Sequence, residues 1–450
     1  TDYAPTGTEL VTNGDFSAAG SNLVSNPNFT DTGSELVNDG SFPSGTTAWS
    51  TGAGWVLSSG SVSHSGGGGT LQQLLILESG KSYKVYIETS GVSGALAFTG
   101  FSNSFAERTI PNGNTTFYLT ANSTTLGIYS DALATITNVS VKELGADWTL
   151  GTGWSIGDSK AISTLQSGSK YLTQSSVVES GKSYKVTYEV IDYTSGSVKA
   201  TVSGDEGEAR TAIGTYTEYL NATGTTFSIK NQSGAFIGSI SNISVQELGE
   251  GWTVGGGWSI GEDKAIADGS TSATNILSQD LGLVTTKNYK ISFNSDRVGG
   301  VLFVRDSDDT TLYTLNSGTG STVNTFYNTW AGSGGTLKFY AYNYNGSITN
   351  ITVQEMILTK IFPELAPPDI DAPYIVYSVV SNSPSETKNA NGDIDTASIE
   401  VYGFQDTYNK AVDLGVSVRA ALDRKTGTYN TIQIQSTNYV NEQMDVNEAR

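Results

Sequence analysis

Along most of the chain, apolar and polar residues alternate with a period of two. Tyr83, Val85 and Ile87 share one face of a segment whose other face carries Lys84, Tyr86 and Glu88. Thr137, Val139 and Val141 alternate in the same way with Ile136, Asn138 and Ser140. A β-strand sends successive side chains to opposite faces, so the pattern predicts half-buried antiparallel strands. These runs are short and are bounded by Gly- and Ser-rich turns, with no helical period between them. The expected fold class is mostly β, built from β-sandwich, jelly-roll-like units.

The runs recur in a fixed order. Trp148-Thr149-Leu150-Gly151-Thr152-Gly153-Trp154-Ser155-Ile156-Gly157 returns as Trp252 to Gly261, 104 residues later, and a weaker copy spans Trp49 to Trp55. A second marker, Glu78-Ser79-Gly80-Lys81-Ser82-Tyr83-Lys84-Val85, returns at Glu179 to Val186 and more loosely at Thr286 to Ile291. A third closes each copy: Ile136 to Val141, Ile240 to Val245 and Ile348 to Val353. Three markers in one order predict three tandem β-sandwich repeats, at residues 35–144, 145–248 and 249–356. The period is too long for a solenoid coil or propeller blade, so each repeat is expected to own its core. Residues 1–34 form a leader. In it, Glu9 to Phe16 recurs at Asn22 to Phe29 and again at Glu35 to Phe42, with a period of 13. The first two segments read as spare copies of an opening strand that either pair with a neighbour or hang as a linker.

The pattern changes after Met356. Pro363, Pro367, Pro368, Pro373 and Pro384 crowd into a short stretch, and no Trp follows Trp330. Tyr374 to Val380 reads as a strand, Ser383 to Asp393 as a polar loop and Ile394 to Phe404 as a second strand. Ala411, Leu414, Val418, Ala421 and Leu422 then fall at helical spacing over Thr407 to Asp423, and Thr431 to Gln435 reads as a last strand. Residues 357–450 are thus a small α+β domain of order β-β-α-β.

Composition narrows the function. The 450 residues include 24 basic and 44 acidic ones, for a net charge of -20, with one His and no Cys. Disulfides, Cys-zinc sites, Fe–S clusters and thiol nucleophiles are excluded. One His argues against multi-His metal sites and a Ser-His-Asp enzyme. Excess acid argues against gripping nucleic acid by phosphate neutralisation. No apolar run approaches a membrane span of ~20 residues. Thr1-Asp2-Tyr3 lacks the basic start and apolar stretch of a signal peptide, and the missing initiating Met leaves processing or an upstream segment open.

Several residues carry candidate chemistry. Trp148, Trp154, Trp252 and Trp258 read first as core residues and second as faces for sugar rings. Trp330, with Tyr340, Tyr342 and Tyr344 alternating on one strand face and Phe339 turned the other way, is the better candidate glycan platform. Asp306, Asp308 and Asp309 lack the glycine turn and distal Glu of a calcium loop and read as a solvated turn; Asp205, Glu206 and Glu208 read alike. His64, between serines beside Gly66 to Gly69, reads as a surface turn. The glycine run lacks the Lys-Ser/Thr of a phosphate loop. Nothing marks a catalytic pair, so the chain is expected to be no enzyme and to need no cofactor or metal.

Residues from about Ile357 to Gln435 resemble the tail terminator, or tail-completion, family of tailed bacteriophages. The resemblance rests on Lys360-Ile361-Phe362-Pro363, Ala372-Pro373-Tyr374-Ile375-Val376-Tyr377, the strand Asp395 to Tyr402, Asp406 to Ala411, and Val416-Ser417-Val418-Arg419-Ala420-Ala421-Leu422-Asp423. It covers roughly 80 residues. It implies a hexameric ring in the virion neck that caps the tail tube, contacts tube and head-tail connector proteins, and lets DNA pass without sequence-specific binding. Such a protein is made in the host cytoplasm and has no membrane partner. The family's inter-subunit arm falls here on Pro384, Ser385, Glu386, Thr387, Lys388, Asn389 and Asp393. Family members usually open with a helix before the Ile-Phe-Pro segment and close on a further strand. Here the repeats occupy the first place, so that helix is expected to be lost or to lie before Thr1. The repeats resemble, more loosely, carbohydrate-binding-module-like jelly rolls of phage fibres, through the Asn-Gly-Asp-Phe opening and the Gly-Trp-Ser-Ile turn. A structural neck protein displaying these sandwiches is the leading expectation; a host-recognition fibre or adhesin that binds surface glycans is the alternative.

Overall fold

A computed structural model describes residues 5–164, 170–231, 236–356, 360–363, 374–385, 394–404, 427–429 and 432–434. The protein is mostly β; among the described residues one helical turn, Phe105–Arg108, interrupts the strands. Two compact units are formed. One contains Phe16–Glu250 and Val254–Ile266, the other Thr1–Asp15, Gly251–Thr253 and Ala267–Arg450.

The first unit holds two sandwiches of the same design. In the first, Gly113–Thr120, Ser82–Ser90, Leu133–Leu144, Ser61–Ser65 and Trp55–Ser58 form one layer. The facing layer is Ser50–Thr51, Gly69–Gln73, Leu126–Ser130 and Leu96–Thr99. Val85, Ile87, Phe98, Ile128, Ile136 and Val141 fill the space between them. The second sandwich repeats this around Tyr184, Val186, Ala200, Ile229, Ile240 and Val245. Alternation explains both cores, because every second residue of each strand points inward.

From Ala267 on, the third repeat lies in the second unit. Its strands Asn288–Arg305 and Thr336–Met356 are continuous where the first two repeats use pairs of shorter strands. Their pairing shifts register between Arg297 and Val301. Gly300 sits at this shift with φ +74°, and a Cβ there would lie 1.7 Å from the Asn343 carbonyl oxygen. Only glycine permits that approach.

The leader joins all three sandwiches, in reverse order. Its first segment pairs antiparallel with Thr336–Met356 of the third repeat, Glu9 opposite Gln354. Its second pairs with Ile237–Leu248 of the second repeat, Asn22 opposite Gln246. Its third pairs with Leu133–Leu144 of the first, Glu35 opposite Lys142. The segments are the opening strands of the three domains, strung together before the array.

Each docks through the same contacts. Glu9, Asn22 and Glu35 accept the N–H of Val353, Val245 and Val141 at 2.8, 2.9 and 2.8 Å. A buried glutamine holds the backbone three residues on. Gln279, Gln174 and Gln73 accept from the N–H of Thr12, Ser25 and Asn38 and donate to the carbonyls of the same residues. Trp252, Trp148 and Trp49 donate from the indole N–H to the carbonyls of Asn13, Asn26 and Asp39. The closing Phe16, Phe29 and Phe42 are buried, with φ of 58°, 55° and 52°. Gln174→Ala removes two hydrogen bonds to the Ser25 backbone, and is expected to cost about 1–3 kcal/mol in denaturant unfolding.

The repeated markers now have physical roles. In each Lys-Ser-Tyr marker the tyrosine hydroxyl accepts a backbone N–H: Glu78 to Tyr83, Glu179 to Tyr184 and Val284 to Tyr289. The lysines pair with Glu143, Glu247 and Glu355 at 2.7–2.8 Å. Within the first unit, Ser82 Oγ accepts the N–H of Ile156 and Ser183 Oγ that of Ile260, both at 2.9 Å. The Gly-Trp-Ser-Ile turn therefore satisfies the marker serine of the preceding copy. In the third marker Asn288 replaces this serine and accepts from Thr329 Oγ1 instead.

In the C-terminal region Lys360–Pro363 runs parallel to Tyr374–Ser385, which pairs antiparallel with Ile394–Phe404. A hairpin, Gly427–Tyr429 with Ile432–Ile434, lies apart. The sequence placed a loop from Ser383, but the strand continues through Pro384 and Ser385, opposite Asp395 and Ile394. Backbone pairing carries the ladder past the polar residues. Glu386, Thr387, Lys388, Asn389 and Asp393 lie outside the described residues, as does the expected helix Thr407 to Asp423.

Candidate functional site

All seven Trp are buried, from 1% exposure at Trp330 to 7% at Trp258. Trp49 and Trp148 pack on Phe42 and Phe29 at 5.3 Å, and Trp330 packs edge-on against Tyr289. None presents a face to a sugar. The proposed Trp330 contact is corrected accordingly: the ring is a core residue whose N–H donates to Gly334.

The tyrosine row is also rearranged. Tyr340 is half-buried and Tyr342 exposed on the outer face, but Tyr344 is fully buried. Asn343 adopts a left-handed φ of 52° and the pairing shifts beside it, which switches the alternation. Tyr344 therefore turns into the core, where burial pushes its hydroxyl pKa well up.

Neighbouring strands supply what alternation on one strand could not reveal. Phe303 lies opposite Tyr340, and the two rings stack at 6.1 Å with 21° between planes. The Arg305 guanidinium sits over both, 4.3 Å from the Tyr340 centroid and 5.1 Å from that of Phe303. Two aromatic faces hold it by cation–π attraction. Lys338, opposite Arg305, is fixed at one end of the row by Asp309 at 2.9 Å. Tyr342 stays 48% exposed at the other end. The outer face of the third sandwich thus offers an open aromatic ring beside a preorganised planar cation. A pyranose C–H face can pack on the first, and hydroxyls or a carboxylate can accept from the second.

The acidic groups are structural. Asp306 is buried, not solvated as its neighbours suggested, because its Oδ1 accepts the N–H of Asp308 and Thr310 inside its own turn. Ser333 donates to Asp308 from its N–H and hydroxyl, holding that carboxyl below its usual range. Lys199 and Lys230 do the same to Glu206 at 2.7 and 2.6 Å. A depressed carboxyl stabilises above the unfolded carboxylate range and loses that contribution as pH falls. Among the described residues no group of three or more acids or histidines could hold a metal.

His64 is corrected from a surface turn to a buried residue. Its ring packs on Trp55 at 4.8 Å, with nitrogens 2.7 Å from the Ala132 oxygen and 3.2 Å from that of Ala53. Val62 and His64 share the inward face of Ser61–Ser65. In the first unit, a shallow cleft of about 280 Å³ is lined by Lys81, Asp147, Trp148 and adjoining loops.

No family model and no curated protein matches the chain. Among solved structures it is similar to the tandem CBM22-1–CBM22-2 domain of Paenibacillus barcinonensis Xyn10C, at 12% identity over 48% of this chain and 98% of that one, TM-score 0.18. It is also similar to a Paenibacillus xanthan lyase (11%; 67% and 36% of the two chains; TM-score 0.18). A third is the cycloalternan-forming enzyme of Listeria monocytogenes, solved with a pentasaccharide substrate (10%; 64% and 30%; TM-score 0.19). The chain spans about a third of the length of the last two. At these scores the likeness carries no argument about ligands or activity.

Proposed function

We propose that the protein is a non-catalytic structural component of a tailed-phage virion. Its C-terminal domain joins it to a ring at the head-tail junction, and its sandwiches project outward, the third binding surface glycans. The observation that carries the glycan reading is the outer face of the third sandwich, where Arg305 lies over Phe303 and Tyr340 beside the exposed Tyr342. The tail reading rests on the residues that resemble the terminator family. The long antiparallel ribbon of Tyr374–Ser385 with Ile394–Phe404 suits it. An extended edge of this kind invites strand addition by a neighbouring subunit, and a closed ring satisfies it.

The division of labour is testable by separating the chain near Ile357. The C-terminal piece is expected to retain ring assembly or tube capping, and residues 1–356 to retain glycan binding. Ring assembly by residues 1–356 alone would sink the proposal.

A further inference from the structure

The three leader contacts are chemically the same contact made three times. Each site offers a buried glutamine, a tryptophan N–H and a backbone N–H that meets a Glu or Asn side chain. A further backbone bond closes each: Ile351, Ile243 and Val139 donate to the carbonyls of Gly14, Pro27 and Gly40 at 2.9–3.1 Å. The segments differ at two contact positions: Asn22 also donates its side-chain amide to the Ile243 carbonyl, and Gly14 and Gly40 pass so close to the Ile351 and Val139 carbonyls that a Cβ there would clash, where the second segment has Pro27. Thr12, Ser25 and Asn38 differ in every segment but are exposed and are held by their backbone atoms. Side-chain fit and connectivity together assign a segment to its sandwich. The third segment is tethered closely, since Phe42 lies only seven residues from Trp49 of the same sandwich. The first two reach sandwiches more than a hundred residues away in sequence.

We propose that the first two leader segments are transferable strand donors. The second and third sandwiches each accept their own segment from a second copy of this chain, so that copies link by reciprocal strand exchange. A donated strand completes the ladder of the receiving sheet, as in strand-addition complexes. Exchange of an identical element needs no new interface, because every contact already exists within one chain. This inference stands apart from the glycan and tail readings.

The test begins with the full chain carrying a protease site between Asp31 and Thr32, folded and then cut. A labelled peptide of residues 18–31 is added in excess with gentle warming, and its uptake is read by fluorescence anisotropy. Uptake at the second sandwich is expected, and none at the third, where Pro27 would meet the Ile351 carbonyl that Gly14 clears. The same peptide with Asn22→Ala and Phe29→Ala should bind about a hundredfold more weakly or worse. No uptake, or equal uptake of the substituted peptide, overturns the proposal. A second measurement covers a cut chain that fails to stay folded. Two differently tagged intact chains are refolded together at high concentration, and one tag is captured. Recovery of both tags is expected, and its loss when both chains carry Phe29→Ala. Capture of one tag alone from the unsubstituted mixture overturns the proposal equally.

Discussion

Phe29→Ala is expected to destabilise the second sandwich by about 3–5 kcal/mol, the range for removing a buried aromatic ring. The residue lies before the first sandwich in sequence, yet its ring is in the core of the second, 5.3 Å from Trp148. Hydrogen exchange locates the effect. Protection should fall most at Tyr184 to Val190 and Ile240 to Val245, and less at Val85, Ile87 and Val141. Phe42→Ala should reverse the pattern, because Phe42 packs on Trp49 in the first sandwich. Equal loss in both sandwiches from either change would show that the leader does not serve them separately.

The second large effect concerns the outer face of the third sandwich. Tyr342→Ala and Arg305→Gln should each weaken glycan binding by about tenfold or more, as expected for an exposed aromatic anchor and a planar donor at the centre of a contact. Tyr342 is exposed, so its loss should leave the melting temperature nearly unchanged. Trp330→Ala and Tyr344→Phe should behave oppositely. Trp330 is a core ring whose removal costs stability, and Tyr344 donates its hydroxyl to the Ser347 carbonyl inside the core. Isothermal titration beside thermal melts separates the two classes. Equal glycan affinity for the parent chain and Tyr342→Ala would remove this face from the function.

The mostly-β class and its sandwiches were legible because period-two alternation is a direct image of strand geometry. The repeated markers were legible as repeats, but their roles needed three dimensions. Nothing in Lys-Ser-Tyr says that the serine waits for the next repeat's Ile156 or Ile260. The reverse order of the leader was hidden for a specific reason. Three nearly identical segments differ at their contacts mainly by Asn22 for Glu and Pro27 for Gly, and proximity in sequence points the first two to the wrong partner. The platform was half legible. Tyr340 and Tyr342 followed from alternation, whereas Arg305 and Phe303 come from a strand some 35 residues away. Tyr344 was misplaced by a single left-handed Asn343, a conformation that asparagine tolerates and that leaves little trace in a pattern. For His64 a usable signal existed: it alternates with Val62, which outweighs its flanking serines.

The central claim is a virion ring that displays glycan-binding sandwiches. It is tested most directly by light scattering on the purified intact chain, with negative-stain images of the same sample. The account predicts an assembly of roughly six copies, a closed ring with lobes radiating from it. A stable trimer with an elongated outline would contradict it and assign the chain to a fibre.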